Sequence, residues 1–306
     1  MQVGEQRVVG PQVGEVDGLR LLDVQDQLGP LVDLAAYPEV GRALLDIGCT
    51  AIAYETVQLA DGSLPLLAPM SRIAGRMSVQ AGAHFLEAPH GGKGVLMGGI
   101  PGVARARVTV LGAGVVGRHA IDVAVGMGAR LVVLDIDLAK LEAIEAFWGG
   151  RVETMYSSRQ TVERYVADSD LLVGAVLVAG GRAPVVVGED LVASMEAGSV
   201  LVDVAIDQGG CIATSRETTH HAPTFVHHGV VHYCVGNMPG AVPHTSTYAL
   251  TNATMTYVVA LAGGLDAAIR RHPELAAGVN AVGGRLTNAS VAGALGRPVA
   301  TLADIL

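Results

Sequence analysis

The stretch R-V-T-V-L-G-A-G-V-V-G-R, residues 107–118, decides the reading of this chain. An apolar strand runs straight into glycines 112, 114 and 117 and then into a helix. In a G-x-G-x-x-G turn the first glycine permits the tight bend and the second lets backbone approach a pyrophosphate. The third lets helix and strand pack closely. The helix would offer the phosphates its unpaired N–H groups and the positive end of its dipole. The glycine string is weak by itself in a chain with 40 glycines. Its context is stronger. A second apolar strand, 131–135, ends in Asp135, 23 residues past Gly112, where a carboxylate accepts bonds from the adenosine ribose and repels a 2′-phosphate. NAD is therefore expected over NADP.

Outward from this point the chain alternates strand and helix to about residue 235. Expected strands are 108–111, 131–135, 171–174 and 200–203, and expected helices are 117–127, 138–147 and 162–167. Strands apolar throughout, separated by helices, predict a parallel sheet covered on both faces. On the N-terminal side the spacing predicts a helix over 38–47, a strand over 51–57 and a helix over 70–86, with Ser71 placed to cap the last or to meet a ligand. A long helix is expected over 247–261. The fold class is α/β, a doubly wound parallel sheet of the Rossmann kind. Residues 66–243 form it, and residues 1–65 with 244–306 combine into a reduced α/β substrate domain.

Composition narrows the function. The 306 residues carry 29 acidic and 20 basic side chains, a net charge of -9, without a basic block, so a nucleic-acid partner is not expected. Hydrophobic residues reach 50% and charged residues 16%, which predicts extensive buried sheet or subunit contact, hence a homo-oligomer, dimer or hexamer. No apolar run is long enough to span a bilayer, and Glu5 and Arg7 stand where a signal peptide needs apolar residues. Three scattered cysteines, Cys49, Cys211 and Cys234, suit a reducing cytoplasm, and the last two follow apolar strands as buried, inert thiols would. His220, His221, His227, His228, His232 and Cys234 invite a metal reading. Adjacent side chains in a doublet are expected to point in different directions, however, so no metal site is predicted. Walker A, H-E-x-x-H and G-x-S-x-G strings are absent.

The flanking words I-A-Y-E-T-V-Q (52–58), L-P-L-L-A-P-M-S (64–71), G-V-L-M-G-G-I-P-G-V (94–103), V-D-V-A-I-D-Q-G-G-C (202–211) and T-S-T-Y-A-L-T-N-A-T-M (245–255) closely resemble the alanine dehydrogenases. They resemble more distantly the related domain of nicotinamide nucleotide transhydrogenases. The resemblance implies that Ser71, Asp135, Lys140, Ser157, Val176, Leu177, Asn237 and Met238 line the dinucleotide, while Gly112, Gly114 and Gly117 hold its pyrophosphate. It implies that Asp207 is the catalytic aspartate beside the nicotinamide. Against the family pattern this chain starts about sixty residues late, aligns Gln12 with a substrate lysine, and reads Asp33-Leu34-Ala35-Ala36 where the family has a catalytic histidine.

The expectation is an NAD-dependent oxidoreductase that moves hydride between nicotinamide and an amine or imine carbon, with Asp207 and Asp33 as catalytic residues. An ionised Asp33 would repel a carboxylate and favour an ammonium, so ordinary L-alanine and pyruvate are not the expected substrates. The alternatives are a non-catalytic NAD(H)-binding protein, or tightly bound NAD used transiently in a deamination or cyclisation.

Overall fold

Strands apolar at every position need cover on both faces, and the computed structural model provides it. The structure describes residues 14–16, 19–21, 38–176 and 183–306. The chain divides into two compact units, one of Met1–Leu67 with Thr251–Leu306 and one of Ala68–Leu250.

In the first unit, β1 (Gly14–Val16) and β2 (Leu19–Leu21) pair antiparallel. Helix α1 occupies Pro38–Ile47, matching the expected bounds. The strand expected over 51–57 is cut short. Only β3 (Ala51–Ile52) pairs with a neighbour, β11 (Val279–Val282), before Tyr54–Thr56 turn into a 3-10 helix. β12 (Arg285–Leu286) completes this three-stranded sheet. Leu45, Ala281, Leu286 and Ala292 form one small core, the last on α10 (Ala289–Leu295). Val57, Leu66, Ala268 and Leu275 form another with α8 (Leu265–Arg271) and α9 (Leu275–Gly278).

The second unit holds seven strands: β4 (Arg107–Leu111), β5 (Arg130–Asp135), β6 (Val152–Tyr156), β7 (Leu171–Gly174), β8 (Val200–Asp203), β9 (Thr224–His227) and β10 (Val230–Tyr233). Their order is β6-β5-β4-β7-β8-β10-β9, parallel except for β9, which turns back on β10 as an antiparallel edge strand. The sequence reading missed β6 and β9 and gave no bounds for β10, the apolar strand it placed before Cys234. All three sit toward the sheet margins, and β6 and β9 carry exposed, partly polar side chains that break the apolar run.

Alternation puts Val108, Val110, Leu131, Val133, Leu171 and Val173 on one face. Leu111, Val132, Leu134, Leu172 and Leu201 face the other way. Helices α2 (Ala68–Phe85), α3 (Val115–Gly126) and α4 (Leu138–Trp148) contribute Val79, Ile121 and Ile144 to the first core. α5 (Arg159–Ala167) and the short α6 (Glu189–Ala193) contribute Val162, Val166 and Val192 to the second. α2 lies very close to α3: a Cβ on Gly75 would stand 2.2 Å from the Val116 carbonyl oxygen. The long helix expected over 247–261 begins earlier, as α7 (Pro243–Leu261). Among the described residues no helix is long and apolar enough to cross a membrane.

The chain leaves β4 for β5 on one side and reaches β7 on the other. The crevice at the carboxyl ends of β4 and β7 is thus the switch point of the sheet, where such folds bind ligands.

Candidate functional site

The turn after β4 is built from glycines with different tasks. Gly112 has φ +101°, a left-handed conformation, and a Cβ there would lie 2.5 Å from the Ala175 carbonyl oxygen. A Cβ on Gly117 would meet the Gly112 carbonyl oxygen at 1.8 Å, so helix and strand touch backbone to backbone. Gly114 has open space where its Cβ would be. It is also the N-cap of α3, and no side chain caps that helix. The first-turn N–H groups therefore remain available to an anion.

Asp135, at the end of β5, ties this turn down. Its Oδ2 accepts from Ala113 N at 2.6 Å and its Oδ1 from Asp137 N at 2.8 Å. A carboxylate has about four lone-pair sites, which leaves roughly two for hydroxyls of a ligand. Asp137 caps α4 by accepting from Ala139 N and Lys140 N, and Lys140 Nζ pairs with it at 3.6 Å. Ser157 follows β6, its N–H donating to the Asp135 carbonyl at 2.9 Å. Half-buried Val176 follows β7.

A second loop follows β8, organised by a buried acid. Asp203 is fully buried and accepts from Ala205 N at 3.1 Å, Cys211 N at 3.0 Å and Ile212 N at 3.2 Å. Burial raises its carboxyl above the ordinary aspartate value despite these bonds. Gly209 and Gly210, with φ +89° and +76°, let the chain fold back on it. The loop held in this way carries Asp207 in a 3-10 turn over Ile206–Gln208.

Asp207 reaches solvent on one side and is crowded by protein on the other. This crowding pushes its carboxyl up to about 6, with the charges of Glu217 and Asp203 adding and a hydrogen bond from Asn237 opposing. Asn237 N donates to its Oδ1 at 3.3 Å. Asn237 is left-handed at φ +51° and leads into the buried Met238. Glu217 flanks the same spot: a Cβ on Gly236 would lie 2.2 Å from Glu217 Oε1 and 3.2 Å from Asp207 Oδ1. Beside Asp207, the buried Gln208 Oε1 has no hydrogen-bond partner among the described residues.

The structure thus gathers Gly112, Gly114, Gly117, Asp135, Lys140, Ser157 and Val176 at the carboxyl ends of β4 to β7. It gathers Asp207, Asn237 and Met238 after β8 and β10, on the same edge of the sheet. Asp33, Gln12 and Leu177 lie outside the described residues. Ser71 is not a helix cap, because α2 begins three residues earlier at Ala68; it lies half-buried within the first turns. Cys211 and Cys234 are buried, with thiols pushed up by burial, Cys211 well above the ordinary value and Cys234 to about 11. They are inert at neutral pH, as expected.

The histidines disperse. His220 Nε2 bonds the Asn237 carbonyl at 3.1 Å, and fully buried His232 bonds Thr214 and the Val230 carbonyl. The doublet argument fails at one place, however: His227 and His228 both turn toward Glu189. Two site residues escaped sequence reasoning. Asp203 was visible as an acid ending an apolar strand, whereas Glu217 in T-S-R-E-T-T gave no local signal.

Residues 78–289 match the family described as Alanine dehydrogenase/PNT, C-terminal domain. An alanine dehydrogenase of Halomonas elongata is 50% identical over 98% of this chain and 80% of its own length. One from Mycobacterium tuberculosis is 54% identical over 89% of this chain and 74% of its own. A solved L-alanine dehydrogenase is 52% identical with a TM-score of 0.83, covering 86% of this chain and 73% of that one. The transhydrogenase of Sinorhizobium meliloti shares the fold at 22% identity, with a TM-score of 0.69 over 84% of this chain and 72% of that one. With glycines at the switch point of its sheet and these relatives, the chain belongs to the alanine dehydrogenase/PNT family, as an NAD-dependent oxidoreductase.

Proposed function

We propose that this chain catalyses reversible oxidation of an amine-bearing carbon to an imine, with Asp207 holding the nitrogen. The observation that carries the proposal is the carboxyl of Asp207, raised to about 6 on the sheet edge shared with the glycine turn. At pH 7 most of it is ionised and pairs with an ammonium or iminium. A value near the working pH also suits a group that takes a proton from nitrogen and returns it. Bound NAD supplies the hydride acceptor at its nicotinamide ring.

In this reading the chain's own residues bind and orient the cofactor. The bare N-terminus of α3 and Gly114 hold the pyrophosphate, and the remaining lone pairs of Asp135 hold the adenosine ribose. Lys140, Ser157 and Val176 flank the adenosine side. Ser71, Asn237 and Met238 flank the nicotinamide side. α7 exposes Tyr248, Met255 and Val259 at helical spacing, an apolar strip that supports assembly into a homo-oligomer.

The curated relatives are named for alanine, so L-alanine with NAD is the first assay, read as NADH absorbance. A second reading rests on Asp33 standing in the family's histidine word: the substrate then carries a cationic nitrogen and lacks a carboxylate. Cyclic imines and diamines test it beside alanine. Alanine turnover at ordinary dehydrogenase rates removes the second reading. Tight NADH binding with no turnover of any amine removes both, in favour of a non-catalytic dinucleotide-binding role.

A further inference from the structure

Strands β9 and β10 are joined by a two-residue turn, with His227 opposite Val230 and His228-Gly229 between them. Both turn residues are left-handed, at φ +50° and +75°. Such primed turns favour asparagine, aspartate or glycine at the first position, and a histidine there is unusual. The left-handed backbone swings the His228 ring around beside that of His227. The ring centroids are 4.2 Å apart and set edge to face at 63°. Both Nε2 atoms then face one oxygen of Glu189, the first residue of α6, at 3.2 Å from His227 and 3.0 Å from His228. The two imidazoles hold the Glu189 carboxyl below the usual carboxylate range.

We propose that Glu189, His227 and His228 form a divalent transition-metal site, with zinc as its best-fitting ion. The ligand atoms of the three residues lie within 4.8 Å of one another. Donors bonded to zinc at about 2.0–2.1 Å in a tetrahedron stand about 3.3 Å apart, close to the two N···O separations already present. Two neutral imidazoles and a carboxylate form a recognised donor set for zinc, and three protein ligands leave one position for water or for a donor from another molecule. The buried His232, whose ring lies 6.2 Å from that of His227, is already bonded on both nitrogens and is not a ligand.

The metal would clamp the hairpin that ends the sheet to α6, with no ligand drawn from the loop that carries Asp207. A second trio, His84, Glu87 and His90, is less apt. There the imidazole centroids are 3.8 Å apart with the rings tilted by 39°, and His90 faces Glu87 at 3.3 Å. It serves as the internal control.

The test is zinc titration of chelator-stripped protein against a chromogenic chelator, with the melting temperature followed in parallel. One zinc per chain should bind in the micromolar range and raise the melting temperature. His228→Gly, which fits the left-handed turn, should keep the metal-free melting temperature and weaken zinc binding about 10-fold or more. Glu189→Gln should weaken it similarly, and His90→Ala should leave it unchanged. The proposal is overturned if the wild type binds no zinc at sub-millimolar concentration. It is equally overturned if His228→Gly and Glu189→Gln bind as the wild type does, or if only His90→Ala loses the metal.

Discussion

The loops after β4 and β8 solve one construction problem in two ways. Each leaves the carboxyl end of a parallel strand, bends on glycines, and is tied down by an aspartate that accepts backbone N–H groups. Asp135 reaches across from the neighbouring strand with one bond, to Ala113 N, and the β4 loop leads into bare N–H groups at the start of α3. Asp203 sits on its own strand, uses three bonds, and leaves the β8 loop presenting a carboxylate, Asp207. On the proposed function, one point of this sheet edge suits a pyrophosphate and another a nitrogen cation.

The strongest way to break this contrast is at the negative loop. Asp207→Asn should lower kcat by about 10³-fold, within the range of a positioned acid–base group. NADH affinity, measured by fluorescence, should stay within about twofold if the two loops act separately. A parallel loss of NADH binding would mean that the loops form one unit.

At the positive loop, two glycines separate stability from binding. Gly117→Ala drives a methyl into the Gly112 carbonyl and should cost about 3 kcal/mol of stability. Gly114→Ala meets no atom of the described residues, so the unfolding midpoint should hold while NADH affinity falls about 10-fold or more. Equal effects of both substitutions would deny that Gly114 faces the ligand.

Asp203→Asn should cost about 2 kcal/mol, because an amide keeps one acceptor oxygen where two carboxyl oxygens now serve three backbone N–H groups. If Asp203 positions Asp207, kcat falls with it while NADH binding persists. Unchanged kcat in a folded variant would reduce Asp203 to a purely structural role. Asp135→Ser should narrow the preference for NADH over NADPH by about 10-fold, read from the two dissociation constants at one salt concentration.

The two loops also differ in how much of each was legible. The β4 loop is local: strand, glycines, helix and the next strand's acid follow within one βαβ segment, so its anatomy reads directly from 107–135. The β8 loop could be read only in part. Its Asp203, glycines and Asp207 share one word. Its other wall comes from later segments: Asn237 lies past β10, and Glu217 sits in the connection before β9, a partly polar edge strand that the apolar pattern did not reveal. The convergence of His227 and His228 was illegible for a related reason. A doublet in an extended strand splays, and only the left-handed turn at His228 reverses that. Ser71 failed on a boundary, since Ala68 and Pro69 start α2 before the serine that looked like its cap.

The smallest expected effect tests whether Glu217 belongs to the negative loop. Burial does most to raise Asp207, and the Glu217 charge adds to it from across Gly236. Protonation of Asp207 below pH 6 removes the charge that holds the nitrogen, so kcat/KM should fall as pH drops through that value. Removing the Glu217 charge makes the anion of Asp207 easier to form, so the acid limb must move to lower pH. For partly exposed carboxylates a few ångströms apart, the interaction in water is somewhat under 1 kcal/mol, which is about half a pH unit. Glu217→Gln should therefore shift the acid limb of the kcat/KM profile down by about that amount and leave the kcat plateau above pH 7 unchanged. The charge is screened by solvent, so the shift should shrink as salt is raised. A shift in the opposite direction would mean that Glu217 acts by a hydrogen bond to the ionised form. No shift at low salt would place it outside the field of Asp207.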